Sequence, residues 1–238
     1  MGFPMNPYLF FVLAFLLGFT LFNAWIQWLN LRAIQPEIPA EFADLYDADR
    51  YRKSQAYLRD STRFDISSSL IKTAVSLAFI LLGGFAWLHQ TAVSGADSLI
   101  SQGLIFAGLL VLLSTCFGLP FQIYDTFVLE ARYGFNKTTP KTFALDQVKG
   151  LVLAALIGAP IFAGVLWFFD SLGGNAWWIS WLALSAVQLL LMFIAPVYIL
   201  PLFNKFEPLP EGELRSQIHA YATRQGFQVQ GLYQVDGS

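Results

Sequence analysis

A chain of 238 residues that is 56% hydrophobic and only 13% charged, with mean hydropathy +0.55, lacks the make-up of a soluble domain, which carries about 25% charged residues. Its net charge of −2, with no basic tract, gives no ground for a nucleic-acid partner. The single cysteine, Cys116, excludes an internal disulfide and, inside an apolar block, reads as a small buried hydrophobe.

The apolar residues gather into five blocks, at 8–29, 69–88, 99–124, 150–169 and 177–200. Each is long enough to cross a hydrocarbon core of about 30 Å as a helix of about 20 residues. A transmembrane barrel is excluded because 104–113 and 151–156 are apolar on every side, where a barrel strand alternates. The fold class is therefore all-α and polytopic, with about five transmembrane helices and cytoplasmic loop helices. No Lys or Arg precedes the first block, so it reads as a retained membrane helix and not as a cleaved signal peptide.

After the first span comes a loop region, about 30–66, too patterned to be a linker. Pro36 and Pro39 make an extended entry, and helical spacing over 41–57 (Phe42, Leu45, Tyr46, Asp49, Lys53, Tyr57) predicts helices lying against the membrane face. The second connection, 89–98, and the fourth, 170–176, contain no Lys or Arg; all 14 lie in the first loop, the third connection, the tail, or just inside the second span at Lys72. The positive-inside rule then puts the N-terminus outside and the C-terminal tail in the cytoplasm. Trp177, Trp178 and Trp181 form an aromatic belt at the expected outer boundary. In the third connection Gly134 permits a tight turn, and Thr139 caps a helix with Pro140 in its first position. Small residues four apart (Gly150, Ala154, Gly158; Ala155, Ala159, Ala163) predict close helix contact in the fourth span. Pro120, Pro160, Pro196 and Pro201 are expected to kink or end their helices.

Chemistry is scarce. His89 and His219, the two histidines, lie far apart and neither begins a His-Glu-x-x-His, so zinc ligands are not expected among them. There is no G-x-S-x-G elbow and no phosphate loop. No charge sits at mid-membrane, which disfavours a transporter or channel. What stands out is Glu130, Arg132, Asn136 and Lys137, packed into eight residues of the third connection. A plain connector needs none of them.

That connection reads E-A-R-Y-G-F-N-K-T-T-P-K, and it closely resembles a segment of the type I CAAX prenyl endopeptidases, integral-membrane zinc metallopeptidases. So do Y-R-K-S-Q-A-Y-L-R-D-S-T-R-F at 51–64 and P-L-F-N-K-F-E-P-L-P-E-G-E-L at 201–214, while 235–238 resemble the start of the stretch leading to the family's zinc helix. The resemblance implies the first five of seven helices around an internal chamber, spanning 1–202, with 203–238 opening a truncated cytoplasmic catalytic domain. It implies zinc in the complete protein, with no ligand in this chain, and hence a fragment that is inactive alone. The implied partners are the bilayer, a peptide or lipidated-protein substrate and the missing zinc domain. Glu130, Arg132, Asn136, Lys137, Asn204 and Lys205 are the candidate chamber-rim or substrate-guiding residues, Arg132 or Lys137 attracting a peptide carboxylate. Short loops and a compact tail point to a bacterial inner membrane. The alternative is a non-catalytic scaffold that binds lipidated or hydrophobic segments.

Overall fold

A computed structural model describes residues 7–39, 47–229 and 231–235, in two units, Met1–Asn136 and Lys137–Ser238. Within the first unit, α1 (Pro7–Ala33) is apolar all round, as a helix in lipid is. It pairs with α2 (Ala48–Leu81). The contact is polar: Thr20 and Ser68 are buried, and the Thr20 and Thr73 hydroxyls are 2.9 Å apart in a hydrogen bond. Large side chains such as Phe11, Phe15 and Phe22 face outward instead. Interfaces in lipid favour small and hydroxyl residues, because apolar burial gives little drive there.

Asp47 starts α2 by accepting from the Arg50 amide at 2.8 Å. The helix then runs 34 residues without a break, joining loop and second span into one rod. At 1.5 Å per residue this is about 51 Å, well beyond a hydrocarbon core of about 30 Å. The separate loop helices expected against the membrane face are thus replaced by one continuous helix: no Gly or Pro interrupts 48–81, and a change of composition at Ser69 does not by itself stop a helix. Residues 40–46, which hold part of the expected pattern, lie outside the described residues. The second span also ends earlier than residue 88, at Gly83, which turns the chain with φ +79°.

Short α3 (Gly84–Gly95) folds onto α4 (Leu99–Tyr124), burying Leu88 and Ala92. Ser98 caps α4 on the Ser101 amide at 3.1 Å. Cys116 is exposed and not buried; a thiol is apolar enough to face lipid. Beyond α4 the helix widens into a π-helical turn, Asp125–Glu130, and closes with α5 (Ala131–Tyr133).

In the second unit, Thr139 caps α6 (Pro140–Leu153) on the Thr142 amide at 3.1 Å, with Pro140 in the first turn as expected. A π-turn at Ala154–Gly158 leads into α7 (Ala159–Leu172). The chain reverses through a 3-10 turn, Gly173–Asn175, with Gly173 at φ +53°, into α8 (Ala176–Ile194). Of the four apolar helical stretches long enough to cross a membrane among the described residues, 140–203 turns back on itself and accounts for two crossings, so that with α1, α2 and α4 the described residues hold five. Another π-turn, Ala195–Ile199, precedes α9 (Leu200–Phe203). The prolines do not end these helices. The carbonyls that Pro160 and Pro201 would strike, four residues back at Leu156 and Val197, lie inside π-turns, where the wider coil relieves the clash. The small-residue ridge expected to make contact is open: Ala154 and Ala155 are exposed, and nothing lies within 4 Å of an added Cβ at Gly150 or Gly158. Helix α7 meets α8 near their turn, where Ala176 and Ser180 are buried. The tail pairs β1 (Phe206–Pro208) antiparallel with β2 (Tyr233–Val235) around α10 (Glu213–Arg224).

Candidate functional site

The charged third connection begins where the π-turn buries Leu129. Gly134 then adopts φ +74° and lets the chain double back, so that the Phe135 and Asn136 amides both reach the Glu130 carbonyl, at 3.0 and 3.4 Å. Glycine suits this position because a left-handed conformation costs other residues about 1–2 kcal/mol.

The fold brings Asp60 of α2 against this turn. Its Oδ2 accepts from the Tyr133 hydroxyl at 2.7 Å and from Arg132 Nη1 at 3.2 Å. Around it the Tyr57 ring meets Tyr133 edge-on at 5.4 Å and Phe135 at 4.8 Å between centroids. One turn further in, Phe64 stacks on Tyr124 at 4.9 Å. Rods α2 and α4–α5 are therefore fastened by a carboxylate and an aromatic stack, outside the apolar parts of both. Tyr133 is pushed above the usual phenol range, first because it donates to the Asp60 carboxylate and then through burial and the charge of Asp60, with Arg132 opposing.

Of the six residues singled out in the sequence, Glu130, Arg132 and Asn136 share this turn in the first unit. Arg132 is already held by Asp60. Lys137 opens the second unit and is exposed. Asn204 caps α9 in extended conformation, its amide donating to the Leu200 carbonyl at 3.0 Å, and Lys205 follows it. Sequence reasoning missed Asp60 and Tyr57, although they fall three apart on one helix face within the 51–64 motif. It also missed Lys149. The Lys149 ammonium reaches Asp146 Oδ1 and the Leu202 carbonyl, both at 3.0 Å, and lies 5.7 Å from the Phe203 ring centroid.

Metal ligands are a different matter. Among the described residues no group of three or more His, Cys, Asp or Glu side chains gathers to hold a metal, and His89 and His219 are both exposed. These residues do not fit a zinc centre.

Residues 27–205 match a family described as CAAX prenyl protease N-terminal, five membrane helices. CAAX prenyl protease 1 of Saccharomyces cerevisiae is 34% identical over 246 residues, covering 99% of this chain and 54% of that protein. The CAAX prenyl protease 1 homolog of Oryza sativa subsp. japonica is 32% identical, covering 98% and 56%, and that of Homo sapiens is 34% identical, covering 84% and 44%. The crystal structure of S. mikatae Ste24p superposes with a TM-score of 0.90 at 35% identity, over 98% of this chain and 56% of that one. The chain spans about half the length of these relatives. All are eukaryotic, and they lend a bacterial placement no support.

Proposed function

The chain belongs to the CAAX prenyl protease family, and from that premise we propose that it forms the membrane-embedded N-terminal part of a zinc metalloendopeptidase. Its substrates are membrane-associated peptides carrying a lipid, of the prenylated kind named in its relatives. The observation that carries this reading is the agreement with Ste24p over almost the whole chain, together with the family match across 27–205. Residues 1–202 then serve as the membrane region and 203–238 as the opening of a cytoplasmic domain. The small sheet of β1 and β2 with α10 supports that division.

In this reading no catalytic step runs through the residues described. Zinc would polarise the scissile carbonyl and activate water in the complete enzyme, held by side chains outside this chain. The part played here is architectural. Asp60, Arg132 and Tyr133 fix the turn that carries Glu130 and Asn136, while Lys137, Asn204 and Lys205 offer polar groups for the chamber rim. Arg132, which also meets Asp60 at 3.2 Å, and Lys137 are both exposed, and either can draw a peptide carboxylate.

The N-terminus is outside and the tail cytoplasmic in this reading, which the confinement of Lys and Arg to the first loop, Lys72, the third connection and the tail supports, while the exposed Trp177, Trp178 and Trp181 mark a membrane interface at the α7–α8 turn. Cysteine labelling at positions 94 and 137 of the full-length protein tests it, with opposite accessibility expected. The activity is tested by incubating purified full-length protein with a prenylated CAAX peptide. Cleavage that a chelator stops and zinc restores is expected. Binding without cleavage overturns the protease reading in favour of a scaffold.

A further inference from the structure

Where α1 ends beside α2, the first unit holds an open cleft of about 380 Å³ lined by Trp28, Leu31, Arg32, Arg59 and Arg63. Two helices supply its three guanidiniums, and among the described residues no acidic side chain lines it. The carboxylates that neighbour Arg59 and Arg63 in sequence are used elsewhere. Asp60 accepts from the Tyr133 hydroxyl and Arg132, and Asp65 lines a separate cleft with Lys72. None of the three arginines forms an ion pair among the described residues, whereas Arg52 on the same helix has Asp49 at 3.4 Å.

This arrangement is unfavourable without a partner. Arg59 and Arg63 are four residues apart and so share one face of α2, and like charges at that spacing repel. Arg32 adds a third charge from the last turn of α1. The negative end of the α1 dipole accounts for Arg32 alone. Its guanidinium carbon lies 3.6 Å from the centroid of the Trp28 ring, so stacking covers its face and leaves its N–H edge free. Charges that only orient a chain in the membrane need no such convergence.

The donors define the ligand. A guanidinium is a planar fork that matches a pair of oxygens on a carboxylate or a phosphate. A carboxylate has two oxygens and fills one fork, whereas a phosphate offers more acceptors to three forks in one cleft. An ammonium, as in a zwitterionic headgroup, is repelled there.

The surroundings define its source. Trp28 stands on the flank of α1 that also carries Trp25 and Leu21, three and seven residues earlier, and all three are exposed. Tryptophan collects at headgroup level, and Arg63 lies less than two turns before the apolar part of α2 begins at Ser69. A headgroup in the cleft therefore has an apolar path beside it for acyl chains, which a free phosphate does not use. Basic pockets between membrane helices are settings in which acidic lipid headgroups bind.

We propose that this cleft is a site for an acidic phospholipid, with its phosphate held by Arg32, Arg59 and Arg63 and its acyl chains along Trp28, Trp25 and Leu21. The bound lipid ties the end of α1 to α2 and neutralises the repulsion among the three arginines. The site stands apart from the protease reading and does not require that the protein cleave anything.

Native mass spectrometry of the full-length protein in detergent tests the site, with phosphatidic acid, phosphatidylcholine and inorganic phosphate as probes. Phosphatidic acid is expected to be retained about tenfold over phosphatidylcholine, and Arg59→Gln with Arg63→Gln to remove that preference, as the loss of two charge-assisted contacts requires. Arg50→Gln with Arg52→Gln takes the same charge from the same helix outside the cleft and should leave retention unchanged. Arg32→Gln, at an exposed position, should lower retention by about threefold or more and serves where the Arg59 and Arg63 pair does not fold. Thermal unfolding gives a second reading: phosphatidic acid should stabilise the parent and the Arg50 and Arg52 variant, and not the Arg59 and Arg63 variant. Equal losses from the two Gln pairs would reduce the cleft to part of a diffuse basic surface and overturn the site. Equal retention of phosphatidylcholine, or no loss in Arg32→Gln, would overturn it as well. Inorganic phosphate that displaces the lipid would assign the cleft to soluble phosphate instead, and a CAAX peptide that displaces it would assign it to a peptide carboxylate.

Discussion

Arg132 and Lys149 come from neighbouring stretches of sequence, and each ties its own unit together, but they do so on different partners. Arg132 meets a side chain, Asp60, that Tyr133 already holds at 2.7 Å, and its own bond is longer at 3.2 Å. Its side chain is 57% exposed, and an exposed ion pair is worth little. Lys149 meets backbone: it donates to the Leu202 carbonyl, one of the terminal carbonyls that α9 leaves unsatisfied. In the first unit the hydroxyl is therefore the principal tie and the cation an accessory. In the second the cation is the tie. A positive charge at a membrane surface is thus a poor guide to its own importance unless its acceptor is known.

Several substitutions separate these cases, each measured as thermal unfolding of the full-length protein. Asp60→Ala strips the acceptor from both donors and is expected to cost about 2 kcal/mol, within the 1.5–3 kcal/mol seen for bonds to charged groups. Arg132→Gln is expected to cost less than about 1 kcal/mol, since Tyr133 keeps its bond; equal losses from the two would break the comparison. Gly134→Ala forces a side chain into φ +74° and should cost about 1–2 kcal/mol. Lys149→Met is expected to cost about 1 kcal/mol, with Lys149→Arg recovering most of it; no loss at all would remove Lys149 as a tie. Thr20→Val deletes the bond between α1 and α2 and should cost about 0.6 kcal/mol, the average for interhelical bonds in lipid.

The smallest effect concerns pH. Tyr133 has a raised phenol pKa in the fold because its proton is shared with Asp60. A raised pKa means that the folded state holds the proton more tightly, so this contribution is complete below the unfolded value of about 10 and is lost as pH rises through the folded value. The alkaline limb of the stability curve should therefore be steeper for the parent protein than for Tyr133→Phe. Matching limbs would show that the hydroxyl contributes nothing.

Much of this was legible in advance, for identifiable reasons. Five crossings follow from five apolar runs, because a bilayer demands a fixed length of helix. Thr139, Pro140 and Gly134 act locally, so their neighbours in sequence disclose them. Arg132 stood out by crowding of charge. Lys149 did not, since its carbonyl partner lies at Leu202 and every residue has a carbonyl. The length of α2 was missed because the change from polar to apolar at Ser69 looks like a boundary, whereas helix continuity depends on backbone compatibility and capping. The ridge of Gly150, Ala154 and Gly158 shows the converse: a face suited to contact does not say what meets it.

The unbroken run of α2 has a mechanical consequence. From the turn at Gly83 to Asp60 is about 35 Å of stiff helix at 1.5 Å per residue, so a tilt of only about 10° at the far end would sweep Asp60 through roughly 6 Å, as that lever arm dictates. A bond of 2.7 Å to Tyr133 survives no such sweep. A displacement of that size near Gly83 would therefore break the Asp60–Tyr133 bond at the other end of the rod.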